Sequence, residues 1–298
     1  MSAPRRKIPR ERIDGVLLLD KPLGLSSNTA LQTARRLLNA AKAGHTGTLD
    51  PMATGLLPLT FGEATKFSQR LLDADKEYLA TLRLGVETDS GDAEGQEISR
   101  APVAVDAAQL EQALAGLRGD IQQVPPMYSA LKRDGKPLYE YARAGIEVER
   151  APRPVTIFTL ECLAFDADEL RLRIRCSKGT YVRSLAIDLG RALGCGAHLT
   201  ALRRTAIGPF SIDTAVTLEQ LEASGDATAL LAPPDALIAE CPRLDLDETD
   251  ALAISQGRVL NHDGPTGEVR LYSGTRFIGL GCCEADGRLL ARRLIAQA

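Results

Sequence analysis

With 298 residues, 44% of them hydrophobic, and a formal net charge of −3, the chain exceeds one average domain and has the apolar content of a globular protein. Two domains with a sizeable core are expected. The longest uncharged apolar run near the start, residues 15–19, falls far short of a membrane span, and residues 1–14 are too polar for a secretion signal, so a cytoplasmic protein without membrane contact is expected. Six cysteines are scattered without a Cys-x-x-Cys, and Cys195 with His198 lacks further ligands nearby, which argues against zinc and for reduced thiols. The negative total does not exclude an RNA partner, because charge is uneven. Residues 131–204 hold fourteen Lys or Arg against nine Asp or Glu, whereas residues 73–97 hold eight acids against two bases. Phosphate binding follows local charge, although such blocks also form solvated faces.

In chain order, residues 1–13 form a basic tail and residues 15–20 read as a short buried strand. Ser26 or Ser27 then caps a helix whose apolar positions Leu31, Ala34, Leu38 and Ala41 recur at helical spacing, with Arg35, Arg36 and Lys42 toward its end and Gly44 as its stop. Residues 44–51, with two glycines and a proline, read as a loop. Residues 78–86 alternate as a half-buried strand with Tyr78, Ala80, Leu82, Leu84 and Val86 on one face. Residues 106–119 read as a capped helix ended by glycine, and residues 122–154, rich in Pro, Gly, Tyr and basic side chains, as an extended, mobile segment. Residues 169–177 alternate cleanly, with Arg171, Arg173 and Arg175 on the outward face, either a solvent face or an RNA contact. Lys178, Gly179 and Thr180 lead into a helix with Val182, Leu185, Leu189 and Leu193 at core spacing; its first N–H groups can hold a phosphate or a carboxylate. A boundary falls near residues 233–242. Beyond it, a helix over 249–256 stopped by Gly257 and strands near 269–272, 277–283 and 289–294, with a hairpin turn at 284–287, make a small second domain.

Asp50 is the first candidate for chemistry. An Asp before Pro in a Gly-rich loop is by itself most often a turn residue, but His45, Thr46 and Thr48 crowd the same loop. No Gly-Lys-Ser/Thr follows, which rules out a Walker phosphate loop. Asp89, Asp92 and Glu94 lack calcium-loop spacing, and a solvated loop is expected there. The run over residues 44–69, GHTGTLDPMATGLLPLTFGEATKFSQ, resembles the catalytic motif of the TruB family of tRNA pseudouridine synthases. Asp20, Lys21 and Pro22 match that family's opening motif. Lys76 to Tyr78 match its Lys-x-Tyr segment, and residues 125–132, PPMYSALK, its Pro-x-x-Ser-Ala motif. Residues 177–185 and Leu202 to Arg204 complete the set in the family's order, over about residues 14–212.

The resemblance implies an α+β pseudouridine-synthase fold: a mixed, mainly antiparallel sheet flanked by helices with a central cleft. It implies a catalytic domain over 14–240, with 122–154 as an RNA clamp, and a PUA-like RNA-binding domain over 241–298. The implied reaction isomerises uridine 55 in the tRNA T-loop, with Asp50 as nucleophile, Arg183 keeping it ionised, and Tyr78 beside the base. His45 would displace and hold the target base, Tyr181 and Leu202 would line the pocket, and Lys21 would position or contact phosphate. No metal or other cofactor is implied, nor a guide RNA or protein partner, and a monomer is expected. The carboxylate could capture the sugar C1′, add to C6 of uracil, or take a ribose proton. Two other readings compete: an RNA-folding protein with a relic pocket, and a synthase that needs a guide RNA. His198 and His262 lie in no matched motif and read as structural.

Overall fold

The computed structural model describes residues 9–296; residues 1–8 of the basic tail lie outside them. Strand β1 (Gly15–Lys21) leads into helix α1 (Ser27–Leu37), which Ser26 caps by accepting from the Thr29 N–H. The helix stops earlier than its apolar spacing predicts. Asn39 takes a left-handed φ of 52°, and the Arg35 guanidinium folds back to donate to the Ala40 and Ala41 carbonyls, so Ala41 and Gly44 lie beyond it.

Strands β2 (Ala43–His45) and β3 (Ala53–Phe61) flank the expected loop, followed by α2 (Gln69–Asp73) and β4 (Lys76–Leu84). A hairpin of β5 (Val86–Thr88) and β6 (Glu97–Arg100) carries the acidic stretch. Helix α3 (Ala107–Gly116) starts on a reciprocal capping box between Asp106 and Gln109, and Gly119, expected to end it, instead opens β7 (Gly119–Gln123). Between β7 and β10 (Arg153–Asp166) lies an insertion with only β8 (Lys132–Arg133), β9 (Lys136–Pro137) and α4 (Leu138–Arg143). The extended segment expected over 122–154 is corrected at its ends, because Gln122 pairs with Pro154 and Gln123 with Arg153 in the main sheet. Strand β11 (Glu169–Cys176), helix α5 (Val182–Ala192), β12 (Ala197–Ile207), β13 (Phe210–Ser211) and α6 (Leu218–Ala223) complete this part.

The main sheet runs β1-β3-β12-β4-β11-β10-β7, with β2 and β13 attached at β3 and β12. Along it only β3 and β12 are parallel, which gives the expected mixed, mainly antiparallel α+β architecture. Leucines of α1, α3, α5 and α6 (Leu31, Leu114, Leu185 and Leu221) pack with Leu82 and Leu172 in one core. Each contributes roughly 1.5–3 kcal/mol through burial. Beyond Pro242 the chain adds β14 (Arg243–Asp245), α7 (Glu248–Ser255), β15 (Leu260–Asn261), β16 (Gly267–Ser273), β17 (Arg276–Cys283) and β18 (Arg288–Leu294), a five-stranded sheet ordered β14-β16-β17-β18-β15. This domain has its own core around Ile254, Leu271 and Ile278. A further cluster joins it to the first: Phe277 and Leu280 meet Val16, Leu56, Phe67, Ile207 and Leu237. Among the described residues no helix is long and apolar enough to cross a membrane, and all six cysteines are free thiols.

One close approach fixes where β3 enters the sheet. Gly55 lies opposite Arg204 of β12 with φ +102°, and a Cβ there would sit 2.3 Å from the Arg204 carbonyl oxygen. Gly55→Ala is therefore expected to cost about 3 kcal/mol, combining left-handed strain with overpacking. Thermal unfolding should then show Tm lower by roughly 6 °C or more.

Candidate active site

The loop between β2 and β3 that carries Asp50 is tied down along its length. The Ser27 hydroxyl accepts from the Leu49 N–H at 2.7 Å and lies 2.9 Å from its carbonyl, to which it donates. The Gly24 N–H donates to the Pro51 carbonyl and the Thr46 N–H to that of Pro58. From below, the Arg204 guanidinium, only 1% exposed, donates from Nε to the Leu56 carbonyl (2.7 Å) and from Nη2 to that of Gly47 (3.3 Å). A segment with no period of its own thus becomes a fixed platform, which is what positions a reacting group.

Asp50 meets Arg183 at 2.8 Å, between Oδ2 and Nη2. The arginine stands in the first turn of α5 and is 5% exposed. Its start is locked by Gln123, whose side-chain amide donates to the Tyr181 carbonyl (3.0 Å) and accepts from the Tyr181 N–H (2.7 Å). The Tyr181 N–H, which a phosphate could otherwise take, is thereby occupied. Arg183 also donates to the Tyr128 carbonyl (2.7 Å) and the Ser90 carbonyl (3.3 Å), and its Nε lies 3.5 Å from Asp92 Oδ2.

Asp92 overturns the expectation of a solvated loop. It is 3% exposed and accepts from the Ser90 hydroxyl (2.6 Å) and the Glu94 N–H (3.1 Å). The bend that buries it is held by Gly91, at φ +74°, where a Cβ would meet Ile187 Cδ1 at 2.7 Å. Nothing in the local sequence separates Asp92 from its solvated neighbours; its role follows only from the β5–β6 hairpin docking on β12, where the Ala93 N–H donates to the Leu199 carbonyl.

Of the other expected site residues, Tyr78, Tyr181 and Lys21 lie within electrostatic range of Asp50. Tyr78 lies opposite Arg204 on the sheet, and Leu202 opposite Ala53 and Ala80, so Tyr78 and Leu202 share one face of the sheet with Arg204. Tyr181 precedes α5 by one residue. His45 ends β2, and its buried Nδ1 has no hydrogen-bond partner. Lys21 is fully buried and donates to the carbonyls of Pro22 (3.0 Å) and Leu25 (2.6 Å), bonds that suit the positioning role. The arginine face of β11 points away from Tyr78, with Arg173 paired to Glu161 at 2.8 Å and Arg175 to Asp75 at 3.5 Å. His198 sits in the core, its Nδ1 2.9 Å from the Val86 carbonyl oxygen. Among the described residues no group of three or more His, Cys, Asp or Glu is placed to hold a metal ion.

Burial dominates the electrostatics. It raises the Asp50 carboxyl above its ordinary range, Arg183 opposes the rise, and the second carboxylate of Asp92 adds to it. The same desolvation lowers Lys21 to about 8, with Asp50 pulling the other way. It also lowers His45, helped by Arg204, so the imidazole is neutral at pH 7. Tyr78 and Tyr181 are both raised by burial and remain phenols. The result is an anion that a fixed guanidinium keeps ionised beside neutral aromatic walls, an arrangement suited to meeting positive charge as it develops on a substrate.

Fold comparison finds solved structures that cover nearly the whole chain. It aligns with a chain of an H/ACA RNP bound to a substrate RNA containing 2′-deoxyuridine (24% identity, 100% of this chain and 92% of that one, TM-score 0.71). It also aligns with a chain of a Cbf5–Nop10–Gar1 complex (27% identity, 96% and 85% covered, TM-score 0.68). Residues 35–182 match the family model described as TruB family pseudouridylate synthase (N terminal domain). Fold and family model together make the chain a pseudouridine synthase, an isomerase. Residues 183–238 match a tRNA pseudouridylate synthase B C-terminal domain and residues 242–295 a Pseudouridine synthase II TruB, C-terminal model. Among its relatives are proteins named tRNA pseudouridine synthase B from Aromatoleum aromaticum (67% identical over 290 residues, 96% of this chain and 94% of that one) and from an Azoarcus species (63% over 296 residues, 98% of each). The chain belongs to the TruB family.

Proposed function

We propose that the chain converts uridine 55 in the T-loop of tRNA to pseudouridine, acting alone and without metal or coenzyme. The observation that carries this reading is the Asp50–Arg183 pair, 2.8 Å apart, with the arginine buried and the Asp50 side chain 37% exposed. The names of the relatives support tRNA as the substrate. The target base is stacked inside folded RNA and must be flipped out to reach Asp50. His45, neutral and unpartnered, holds the flipped state, and the insertion between β7 and β10 closes over the RNA. The N1–C1′ bond then breaks with Asp50 countering the positive charge on the sugar, as carboxylates do in glycosidases. Tyr78, Tyr181 and Leu202 retain the freed uracil while it turns. A C5–C1′ bond forms, C5 loses its proton by way of the Tyr78 hydroxyl, and N1 gains one, so the sum is an isomerisation. The C-terminal domain, as a PUA-like module, adds RNA contact.

The test is pseudouridine formation on an unmodified tRNA transcript by the purified chain, with no guide RNA, metal or nucleotide added. Conversion of a single T-loop uridine supports the whole reading. Folded, tRNA-binding protein without conversion would instead favour the guided or RNA-folding readings. Because the net charge is −3, affinity must come from local contacts to phosphate. The tRNA Kd is expected to weaken at least tenfold between about 50 and 200 mM salt, and a flat response in filter binding would contradict that.

A further inference from the structure

Three buried side-chain polar atoms in the described residues lack any hydrogen-bond partner, and two of them, His45 Nδ1 and Ser129 Oγ, border the candidate active site. Ser129 belongs to the PPMYSALK run, a motif to which the reaction described above gives no task. The residue is 4% exposed. Its backbone is satisfied: the N–H donates to the Met127 carbonyl (2.9 Å), and its carbonyl accepts from the Tyr139 N–H (3.1 Å). Only the hydroxyl is left over. The residue before it gives its carbonyl to Arg183 Nη2, the nitrogen that also holds Asp50. The phenol of Tyr181 lies close enough to the hydroxyl to act on it as a weak side-chain partner, but without the geometry of a formed hydrogen bond. A buried hydroxyl without a partner is costly and uncommon in a native fold, and it persists where something else completes it.

We infer that Ser129 is a substrate-binding residue whose hydroxyl donates a hydrogen bond to an oxygen of the nucleotide flipped into the pocket. The inference rests on the function proposed above, since it needs an RNA nucleotide beside Asp50. It explains why an insertion distant in sequence brings a serine to this spot: the hydroxyl makes its bond only when the pocket is filled and the insertion is seated.

The test compares Ser129→Ala and Ser129→Cys with wild type in single-turnover conversion of a tRNA transcript, alongside Tm. The hydroxyl has no well-formed bond in the free protein, so Ser129→Ala should leave Tm nearly unchanged while slowing conversion about tenfold, or about 1.4 kcal/mol. Ser129→Cys keeps the volume but is a poor donor and should fall with the alanine variant. Wild-type rates in either variant, or a lowered Tm that accounts for the loss, overturn the assignment while leaving the proposed function standing. A wild-type chain that converts nothing removes the proposed function and this inference with it.

Discussion

Replacing Asp50 by Asn is expected to abolish pseudouridine formation, by a factor on the order of 10⁴ or more, while tRNA binding stays within a few-fold of wild type. Asn keeps the size and the loop ties but has no charge to set against a cationic sugar and no nucleophilic oxygen of comparable strength. The loop is held by Ser27, Gly24, Thr46 and Arg204, none of which touches the Asp50 carboxylate, so the fold should survive. Wild-type folding has a pH signature to match. The Asp50 carboxyl is raised in the folded state, so its ionisation costs stability. That cost is absent at low pH, sets in above the unfolded carboxylate pKa, and is complete above the raised folded value. Asp50→Asn removes it, and its Tm should therefore equal or exceed that of wild type at neutral pH. Residual single-turnover activity near wild type would remove Asp50 from the chemistry.

Arg183→Met should be nearly as damaging to rate, roughly a thousandfold, and more damaging to the fold. The guanidinium serves Asp50, Asp92 and the carbonyls of Ser90 and Tyr128 together. Its loss strands Asp92 in the interior, a cost of about 2–3 kcal/mol, below that of a fully broken buried pair because the Ser90 hydroxyl and Glu94 N–H remain. The pH profile separates the two effects. Arg183 is the main group that opposes the rise in the Asp50 pKa, with Lys21 adding less, so in its absence the carboxyl protonates at higher pH still. The acid limb of the single-turnover rate should move upward relative to wild type. An unmoved limb with reduced rate would mean that the arginine acts on substrate and not through Asp50.

Local pattern was readable where one face of an element is buried. Residues 169–177 and 78–86 alternate because each strand has a wet and a dry side, and β11 and β4 stand there. The strands without such contrast escaped. The β3 sequence ATGLLPLTF is almost wholly buried, so its period of two is masked by apolar residues on both faces. Strand β12 breaks its alternation at register shifts after Leu199 and Arg204, and it puts an arginine where pattern expects a hydrophobe. The site divided in the same way. Asp50, Tyr78 and Arg183 became candidates through a family resemblance, since each alone has a plainer reading. Asp92 and Gln123 are defined by what the fold lays against them, and no spacing along the chain marks either.

The apolar cluster between the two domains makes the molecule a fixed gauge. Phe277 lies against Phe67, with ring centroids 5.8 Å apart, and Lys66 donates to the Leu294 carbonyl at 2.8 Å. An ion pair joins Arg70 and Glu268 across the same junction. Strand β3, which leaves the Asp50 loop, contributes Leu56 to that cluster, so the support of the carboxylate and the seat of the second domain are one piece of structure. The span from Asp50 to the outer strands of the second domain is therefore set by side-chain packing and not by a tether. If, as proposed, RNA reaches both ends, it would be measured as well as bound: a helix one turn too long or too short would meet one end and miss the other.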